Sequence, residues 1–397
     1  MSITRQVAEQ VVATLNNIRE TQEYADKAIE RTLKMENHWR KAERGAYVNT
    51  VYQLLSLSRK LEFALGSAST ANVWHMLGTM LVLQGEMQPD WEELQGLDMD
   101  AVQTRLATAP QAVTLSYPDW LHDIASAELG AQWPTIASAM NERPTTYIRV
   151  NRLKTTPTEL QQLLRTEGVE SWAVTSAPDT LRVADSSQLF KTKAFHQGWF
   201  EMQDLGSQQI APLLDVKPGL RVVDGCCGAG GKSLHLAALM ANKGYVLAMD
   251  IHEHKLATLK KRAKRAGVHM IETRQITSSK TVKRLKDKFD RVLLDVPCTG
   301  TGVFKRNPDA KWQLEASNLA ALTQLQGEIL QRYSQMCKAG GYVVYATCSI
   351  LPSENQQQIA AFLAANSQFS LEQELVLLPG INTEGDGFYA AKLKRND

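Results

Sequence analysis

Two cysteines stand where a thiol could do chemistry. Cys298 lies in "DVPCTGTG" and Cys348 in "ATCSILPSEN", and each follows an apolar run that is typical of a β-strand. Thiolates are strong nucleophiles, so thiols at strand ends are candidates for covalent catalysis. The alternative is that cysteine is a small residue that is often buried for packing alone. Gly300 and Gly302 favour the chemical interpretation, because they indicate a shaped loop around Cys298.

The stretch "VVDGCCGAGGKSLH", residues 222–235, is the candidate cofactor site. It ends like a P-loop, but the first P-loop glycine is replaced by Cys226. The dinucleotide fingerprint also fails, because Ser233 occupies the position of its third glycine. What remains is a strand, a turn of small residues and a helix start, where a ligand can lie against the backbone.

Asp250 ends the next strand-like run. A carboxylate there could accept hydrogen bonds from both ribose hydroxyls of a nucleoside cofactor, or it could cap the following helix. NAD and S-adenosylmethionine share this feature. The two cofactors differ at the glycine turn, because NAD enzymes need glycines spaced to make room for a pyrophosphate. That glycine spacing is missing here, which favours S-adenosylmethionine.

These residues would be positioned by a parallel sheet. After position 204, the strand-like runs "RVVD", "GYVLAMD", "HMIETR", "DRVLLDV" and "GGYVVYAT" are mostly separated by helical runs such as residues 252–266 and 314–336. Such alternation predicts an α/β, Rossmann-like, doubly wound fold with ligands at the carboxyl ends of its strands. In the common strand order the fourth and fifth strands are neighbours, so Cys298 and Cys348 would face one cleft beside the cofactor.

The rest of the chain predicts two further domains. With 397 residues the protein has room for two or three cores. The first hundred residues read as helices, and a mixed region follows in which "TTYIRVNRL" reads as a strand and "TPTELQQLLRTEG" as a capped helix. We therefore predict an all-helical domain at 1–112, a small α+β domain at 113–203 and the catalytic domain at 204–397.

Composition narrows the class of protein. The formal net charge is +2, so any nucleic-acid surface must be local. Five cysteines without a CxxC pair argue against a disulfide framework and a zinc knuckle. The N-terminus lacks the apolar segment of a signal peptide, and no apolar run is long enough to span a bilayer. We expect a cytoplasmic, reduced, monomeric protein that holds no metal and does not enter a membrane.

Several stretches together resemble the Sun/Nop family of RNA cytosine carbon-5 methyltransferases. The resemblance runs from about Leu115 to the C-terminus, and it is carried by "SYPDWL", "IRVNRLK", "GWFEMQDLGSQ", "DGCCGAGGKS", "LDVPCTGTGVFKRNPDAKW", "ATCSILPSEN" and "GDGFYAAKLKR". More loosely, "ERGAYVNTVYQLLSLSRKL" resembles the NusB-like, RNA-binding helical domain of bacterial members.

The resemblance implies a role for each residue of the site. Carbon 5 of cytosine is a poor nucleophile, and a thiolate that adds to carbon 6 activates it. Cys348 would be this nucleophile, Cys298 would assist product release, and Asp295 would contact the cytosine edge at nitrogen 3 or protonate it. The implied S-adenosylmethionine-binding residues are Cys226, Cys227, Gly228, Ala229, Gly230, Gly231, Lys232, Asp250 and Asp295.

The sequence departs from the family pattern at two places. The usual Asp after the third strand is replaced within "RQITSSK" by Ile276 or Thr277, so adenine recognition stays unassigned. A second cysteine in the glycine turn means that Cys226 and Cys227 could rival Cys348. We expect Cys348 to be the nucleophile, because the turn of the first strand faces the cofactor rather than the base.

RNA is the expected partner, and it requires a local track of cations. The candidates for phosphate contacts are Arg149, Arg152, Lys154, Lys305, Arg306 and Lys311. Two denser basic runs, "HKLATLKKRAKRAG" and "SKTVKRLKDKF", are interpreted instead as solvated helix faces. The expected substrate is small-subunit ribosomal RNA. The alternatives are transfer RNA with the same chemistry, a non-catalytic RNA-binding assembly factor, and a nicotinamide-dependent oxidoreductase, which would leave the paired thiols without a role.

Overall fold

The structure is a computed structural model that describes residues 3–66 and 72–396. The chain divides into two compact units. The first comprises Met1–Arg143 and Val303–Ala316, and the second comprises Pro144–Gly302 and Ser317–Asp397. The three domains with boundaries at 112 and 203 stay predictions. The division by contacts is a different one, in which the helical unit continues to Arg143 and also contains Val303–Ala316.

The first unit is helical. Its apolar helix faces enclose a core in which Trp39 and Tyr47 lie with ring centroids 5.3 Å apart. Val11, Leu54 and Leu77 are fully buried in this core. The helices of residues 3–143 are α1 (Arg5–Thr21), α2 (Ala25–Met35), α3 (Lys41–Ala64), α4 (Val73–Leu83), α5 (Met99–Ala107), α6 (Gln111–Leu115), α7 (Asp119–Leu129) and α8 (Trp133–Met140).

The second unit begins with a small antiparallel sheet in the order β2-β3-β1-β4. Its helix α9 starts where the sequence predicts, since Thr156 and Glu159 form a capping box around a proline in the first turn. The elements of this part are β1 (Thr146–Val150), α9 (Pro157–Thr166), β2 (Ser171–Val174), β3 (Ala177–Val183), α10 (Lys193–His196) and β4 (Phe200–Met202).

A seven-stranded sheet follows in the order β10-β11-β9-β8-β5-β6-β7. Strands β9, β8, β5, β6 and β7 run parallel to one another. Strand β11 runs antiparallel to both of its neighbours, β9 and β10. The elements in chain order are α11 (Leu205–Leu213), β5 (Arg221–Asp224), α12 (Gly231–Leu239), β6 (Tyr245–Asp250), α13 (Glu253–Ala266), β7 (Ile271–Gln275), α14 (Ser279–Lys283), β8 (Phe289–Asp295), α15 (Ala310–Gln313), α16 (Ala316–Tyr333), β9 (Cys337–Thr347), α17 (Gln356–Ala365), β10 (Phe369–Leu377) and β11 (Phe388–Arg395). Of these, α15 belongs to the first unit.

The predicted α/β, doubly wound fold class is confirmed. The central strands read as continuous apolar runs because both of their faces are buried, as the last five residues of β6 and of β9 show. From β5 the chain moves outward through β6 and β7, and then returns to place β8 and β9 on the other side. The strand order therefore reverses between β5 and β8, where open α/β sheets bind ligands. Among the helices that the structure describes, none combines the length and apolarity needed to cross a membrane.

Candidate active site at the carboxyl ends of the strands

The two thiols lie side by side. Strands β8 and β9 are adjacent and parallel, so the loops that follow them leave the same edge of the sheet. The Sγ atoms of Cys298 and Cys348 are 3.4 Å apart. The hydrogen bond with Cys348, together with burial, raises the pKa of the Cys298 thiol well above its usual range. The pair is thus arranged to hold one negative charge at a time, because two thiolates at this distance would repel each other.

A buried carboxylate, Glu354, fixes the loop that carries Cys298. The Thr299 backbone N–H donates to its Oε1 at 2.9 Å, and the Thr299 hydroxyl donates to its Oε2 at 2.5 Å. Gln326 donates from Nε2 both to Glu354 Oε1, at 2.8 Å, and to the Pro297 carbonyl, at 3.0 Å. Glu354 has no exposed surface. Sequence reasoning missed this residue, although it lies within the "LPSEN" stretch that follows Cys348.

The turn after Cys348 has its own set of hydrogen bonds. The Thr301 hydroxyl accepts from the Ile350 backbone N–H at 3.1 Å and lies 2.9 Å from the Ser349 hydroxyl. Asn355 donates to the Ser349 carbonyl at 2.9 Å. The two cysteine loops therefore form one hydrogen-bonded structure.

A lysine–aspartate pair stands next to the thiols. Lys232 Nζ lies 2.6 Å from Asp295 Oδ2, and these side chains are 10% and 30% exposed. Burial alone would lower the pKa of Lys232, but the carboxylate of Asp295, with a smaller contribution from Cys348, raises it. Lys232 therefore stays charged beside the thiol pair.

The glycine turn leaves room for a ligand. A side chain at Gly228 or Gly231 would meet no atom within 4 Å, whereas one at Gly230 would lie 2.0 Å from Leu259. Gly228 and Gly230 also have positive φ angles, 52° and 85°, which favour glycine. Open space above a turn that leads into the N-terminus of α12 fits a cofactor held by backbone groups.

Asp250 is joined to this turn. Its Oδ2 accepts from the Gly228 backbone N–H at 2.9 Å, and its Oδ1 accepts from the His252 backbone N–H at 2.8 Å. The carboxylate therefore orients the turn and the residue that precedes α13, and each oxygen retains a lone pair for a ligand hydroxyl. The neighbouring Asp224 is fully buried, and burial raises its pKa to about 7 even though the Ser233 hydroxyl donates to its Oδ2 at 2.6 Å.

The two cysteines of the turn differ from the thiol pair. Burial raises the pKa of both Cys226 and Cys227 above the usual thiol range, so neither is disposed to be a thiolate. After the third strand, β7, Ile276 packs against the hydrophobic core, and its backbone N–H donates to the Asp250 carbonyl at 2.9 Å. Ile276 has a packing role there.

Comparisons with known proteins agree with this geometry. A family model described as 16S rRNA methyltransferase RsmB/F matches residues 211–394, and a ferredoxin-like domain model of the same group matches residues 117–189. Ribosomal RNA small subunit methyltransferase B of Yersinia enterocolitica is 38% identical over 285 residues, which cover 70% of this chain and 66% of that protein. The Klebsiella pneumoniae protein of that name is also 38% identical, over 70% of this chain and 65% of its own length. The chain belongs to the RsmB/F methyltransferase family.

This assignment confirms the resemblance to a family of RNA methyltransferases that the sequence motifs predicted. The matched region spans just under two thirds of the length of these relatives. A solved structure described as a methyltransferase homolog protein from Pyrococcus horikoshii superposes with a TM-score of 0.64 at 27% identity, covering 72% of this chain and 97% of that one. The structure of PH0851 covers 99% of both chains with a TM-score of 0.82, and at 24% identity it shows the shared fold.

Two residues that the sequence assigned to RNA contacts in this RsmB/F chain are buried, and for them that expectation is wrong. Arg149 is 3% exposed and donates from Nη1 to the Gly231 carbonyl at 2.8 Å, so it supports the glycine turn. Lys311 is fully buried in the helical unit, and it donates to the Ser56 carbonyl at 2.7 Å and to Asn141 Oδ1 at 2.8 Å. Burial lowers the pKa of Lys311 well below its usual range.

The remaining RNA candidates have mixed surroundings. Arg152 pairs with Asp179 at 3.5 Å, and Lys154 donates to the Arg265 carbonyl at the end of α13 at 2.7 Å. Lys305 and Arg306 are half-buried on the loop that follows the Cys298 motif, and their phosphate contacts stay predictions. The described residues hold no group of three or more His, Cys, Asp or Glu side chains arranged as metal ligands.

Proposed function

We propose that this chain methylates carbon 5 of a cytosine in small-subunit ribosomal RNA through a covalent Cys348 adduct. The thiol pair carries the proposal, because two cysteines 3.4 Å apart at neighbouring strand ends match a reaction that forms and then breaks a carbon–sulfur bond. The name of the relatives, ribosomal RNA small subunit methyltransferase B, supports the substrate.

S-adenosylmethionine is the proposed cofactor, and it would supply an electrophilic methyl group. The fit rests on the open space above Gly228 and Gly231 and on the carboxylate of Asp250 beside them. The turn residues Cys226, Cys227, Ala229, Gly230 and Lys232 complete the proposed contacts, together with Asp295. The Pyrococcus horikoshii NSun6 structure, solved with SFG, has the same fold with a TM-score of 0.64 at 20% identity.

The chain's own residues would then act in sequence. The Cys348 thiolate adds to carbon 6 of the cytosine, and the electron pair of the 5,6 double bond becomes available at carbon 5. Asp295 donates a proton to nitrogen 3 as negative charge develops there, and Lys232, whose Nζ lies 2.6 Å from Asp295 Oδ2, stabilises the carboxylate that remains. After carbon 5 has gained the methyl group, its proton passes to a base from solvent, and nitrogen 3 returns its proton to Asp295. The carbon–sulfur bond then breaks, the double bond forms again and Cys348 leaves as a thiolate.

Cys298 is placed to assist this release. Its thiol lies against the sulfur that must leave, and its raised pKa keeps it protonated while Cys348 carries the charge. A thiol there can donate a hydrogen bond to the departing sulfur, which stabilises the negative charge returned to Cys348.

Substitution of each cysteine should stop the reaction at a different step, and this difference is the test. We expect Cys348→Ala to be inactive and to form no crosslink, because the bond to carbon 6 cannot form. We expect Cys298→Ala to accumulate a protein–RNA adduct that requires S-adenosylmethionine and survives a denaturing gel. An adduct with Cys348→Ala instead would reverse the two roles, and methylation retained by both variants would exclude the covalent mechanism.

The substrate needs a separate measurement. Mapping 5-methylcytosine in total RNA from cells with and without this gene should show one or more small-subunit ribosomal positions that depend on it. Dependence of transfer RNA positions alone would move the same chemistry to a different substrate. No dependent position together with full RNA binding would favour an assembly factor.

A further inference from the structure

The second unit contains a basic pocket that the proposed reaction does not use. Its volume is 670 Å³. Four of its lining residues are lysine or arginine and none is acidic, although the whole chain carries a net charge of only +2. The pocket is lined by Lys154, His196, Gln197, Trp199, Lys261, Lys264 and Arg265. It lies at the C-terminal end of α13, whereas the thiols follow β8 and β9.

The floor of the pocket is fixed by hydrogen bonds to the end of α13. Lys154 Nζ donates to the carbonyls of Gln197, at 2.6 Å, and Arg265, at 2.7 Å. Gly198 permits this close approach, because a side chain there would lie 2.1 Å from the Arg265 carbonyl and its φ is 70°. The loop 196–199 and the helix end therefore form one rigid wall.

The arginines and lysines of this region have different partners. Arg265 and Arg262 both pair with Glu201, at 2.6 and 2.8 Å, and the Glu201 side chain is only 4% exposed. Lys261 and Lys264 are exposed on the same face of α13, three residues apart, and neither has an ion-pair partner among residues 3–66 and 72–396. The arginines thus hold the helix against the small sheet, while the lysines supply charge to solvent.

An aromatic ring completes the pocket. Trp199 is half-buried at its wall, so part of its indole remains accessible. Uncompensated ammonium groups beside an accessible aromatic ring are the combination that binds a nucleic-acid strand, by neutralising phosphates and stacking on a base. Phosphates alone could be bound by the lysines, but the ring favours a strand that also carries bases.

We propose that this pocket binds the backbone of the RNA substrate at a distance from the reacting cytosine. The proposal deepens the proposed function and rests on it. Helix α13 begins beside Asp250 and spans about 20 Å over its 14 residues, and the pocket lies at its C-terminal end, away from the loops that carry the thiols. Arg262, whose Nη1 donates to the Ala229 carbonyl at 2.8 Å, links that turn to the same helix. RNA that fills both sites must extend beyond the target nucleotide.

The test compares two charge-matched double variants of the full chain. Lys261→Gln with Lys264→Gln removes the two free cations of the pocket. Lys280→Gln with Lys283→Gln removes two exposed lysines from α14, in the same unit but outside the pocket. Binding of small-subunit ribosomal RNA transcribed in vitro is measured over a series of KCl concentrations, in the absence of S-adenosylmethionine.

We expect the pocket variant to reduce the slope of log K against log [KCl] by about 1.4–1.8, the value for two lost phosphate contacts. The control variant should match the wild type. In methylation assays the pocket variant should raise KM for RNA while kcat and the Kd of S-adenosylmethionine stay unchanged. Equal slopes for both variants and the wild type, or equal losses in both variants, would overturn the proposal.

Two further probes distinguish the occupants. Inorganic phosphate should compete only weakly with RNA, since it offers one charge and no base. If polyglutamate binding were lost in the pocket variant while the RNA slope was unchanged, the pocket would belong to an acidic protein partner and the proposal would fail. The slope is measured without turnover, so it stays informative even if no methylation is found and the proposed function fails.

Discussion

At the scale of single residues, the thiol pair depends on a carboxylate that does no covalent chemistry. Glu354 accepts three hydrogen bonds from Thr299 and Gln326, and these fix the backbone on either side of Cys298. A thiol displaced by 1 Å would no longer contact the leaving sulfur, and misplacement on that scale can cost about a hundredfold in rate. Glu354 is thus a positioning residue of the proposed site.

Asp224 gives a prediction about pH. Burial raises its pKa from the ordinary 3.8 to about 7, so between those values the unfolded chain loses this proton while the folded chain keeps it. The contribution of Asp224 to the free energy of unfolding therefore falls as the pH rises from about 4 to 7 and is constant above that. Asp224→Asn removes this loss, so the free energy of unfolding of Asp224→Asn relative to that of the wild type should increase by about 4 kcal/mol from pH 4 to pH 8.

Urea unfolding from pH 4 to pH 8 checks this prediction. Asp100→Asn, a substitution at an exposed position in α5, is the control and should follow the wild-type profile. Parallel profiles for Asp224→Asn and the wild type would show that the carboxyl titrates normally in the folded protein.

At the scale of elements, three segments meet at one glycine behind the thiols. The Gly302 backbone N–H donates to the Cys348 carbonyl at 2.9 Å, and the Gly387 N–H donates to the Gly302 carbonyl at 2.8 Å. The loop after β8, the end of β9 and the turn before β11 are thereby joined. The short distance between the two sulfur atoms follows from this backbone contact as much as from the strand order.

Gly302→Ala should break that arrangement. The added methyl group would lie 2.3 Å from the Gly387 carbonyl and 2.8 Å from the Cys348 carbonyl, so backbone must move. We expect a loss of about 1–3 kcal/mol in stability, as for other overpacked sites, and a large fall in single-turnover methyl transfer.

A matched control is Gly45→Ala in helix α3, where the new methyl group meets no atom within 4 Å. It should stabilise the protein by about 0.5–1 kcal/mol, because glycine disfavours a helix interior, and it should leave transfer unchanged. A wild-type rate of methyl transfer in Gly302→Ala would mean that the backbone contact between Gly302 and Cys348 is not needed for the reaction.

At the scale of the whole molecule, the chain that carries Cys298 returns to the helical unit. Residues 303–316 pack with Met1–Arg143. There Trp312 donates from Nε1 to the Leu55 carbonyl at 2.7 Å, and Lys311 lies 4.3 Å from the centre of the Tyr117 ring. The helical unit therefore holds a segment that begins five residues after the Cys298 thiol.

A fragment from Pro144 to Asp397 should separate cofactor binding from transfer. The glycine turn, Asp250 and Lys232 all belong to the second unit, so calorimetric titration should give a Kd for S-adenosylmethionine within a few-fold of that of the full chain. Methyl transfer to RNA should be lost, because residues 303–316 no longer have the helices that bury them.

Circular dichroism supplies the control that the fragment is folded. In the full chain, Lys311→Met should keep transfer measurable while it changes stability, since it fills similar space but leaves the Ser56 carbonyl and Asn141 Oδ1 without the buried amine as a donor. Full transfer by the folded fragment would show that the helical unit is dispensable for the reaction.

The sequence by itself determined the parallel strands, the glycine turn and the two cysteines at strand ends, because each is encoded in a few consecutive residues. Strands that are buried on both faces read as apolar runs, and the turn requires small residues at fixed positions.

Only the tertiary structure decided which lysine and arginine side chains are accessible to a ligand. Lys311 reads as a basic loop residue, but it is buried by contacts with Ser56, 255 positions away. Lys261 and Lys264 read as a solvated helix face, yet packing of α13 against the small sheet makes them one side of a pocket. Burial and convergence of long side chains depend on distant segments, and short-range patterns do not record those contacts.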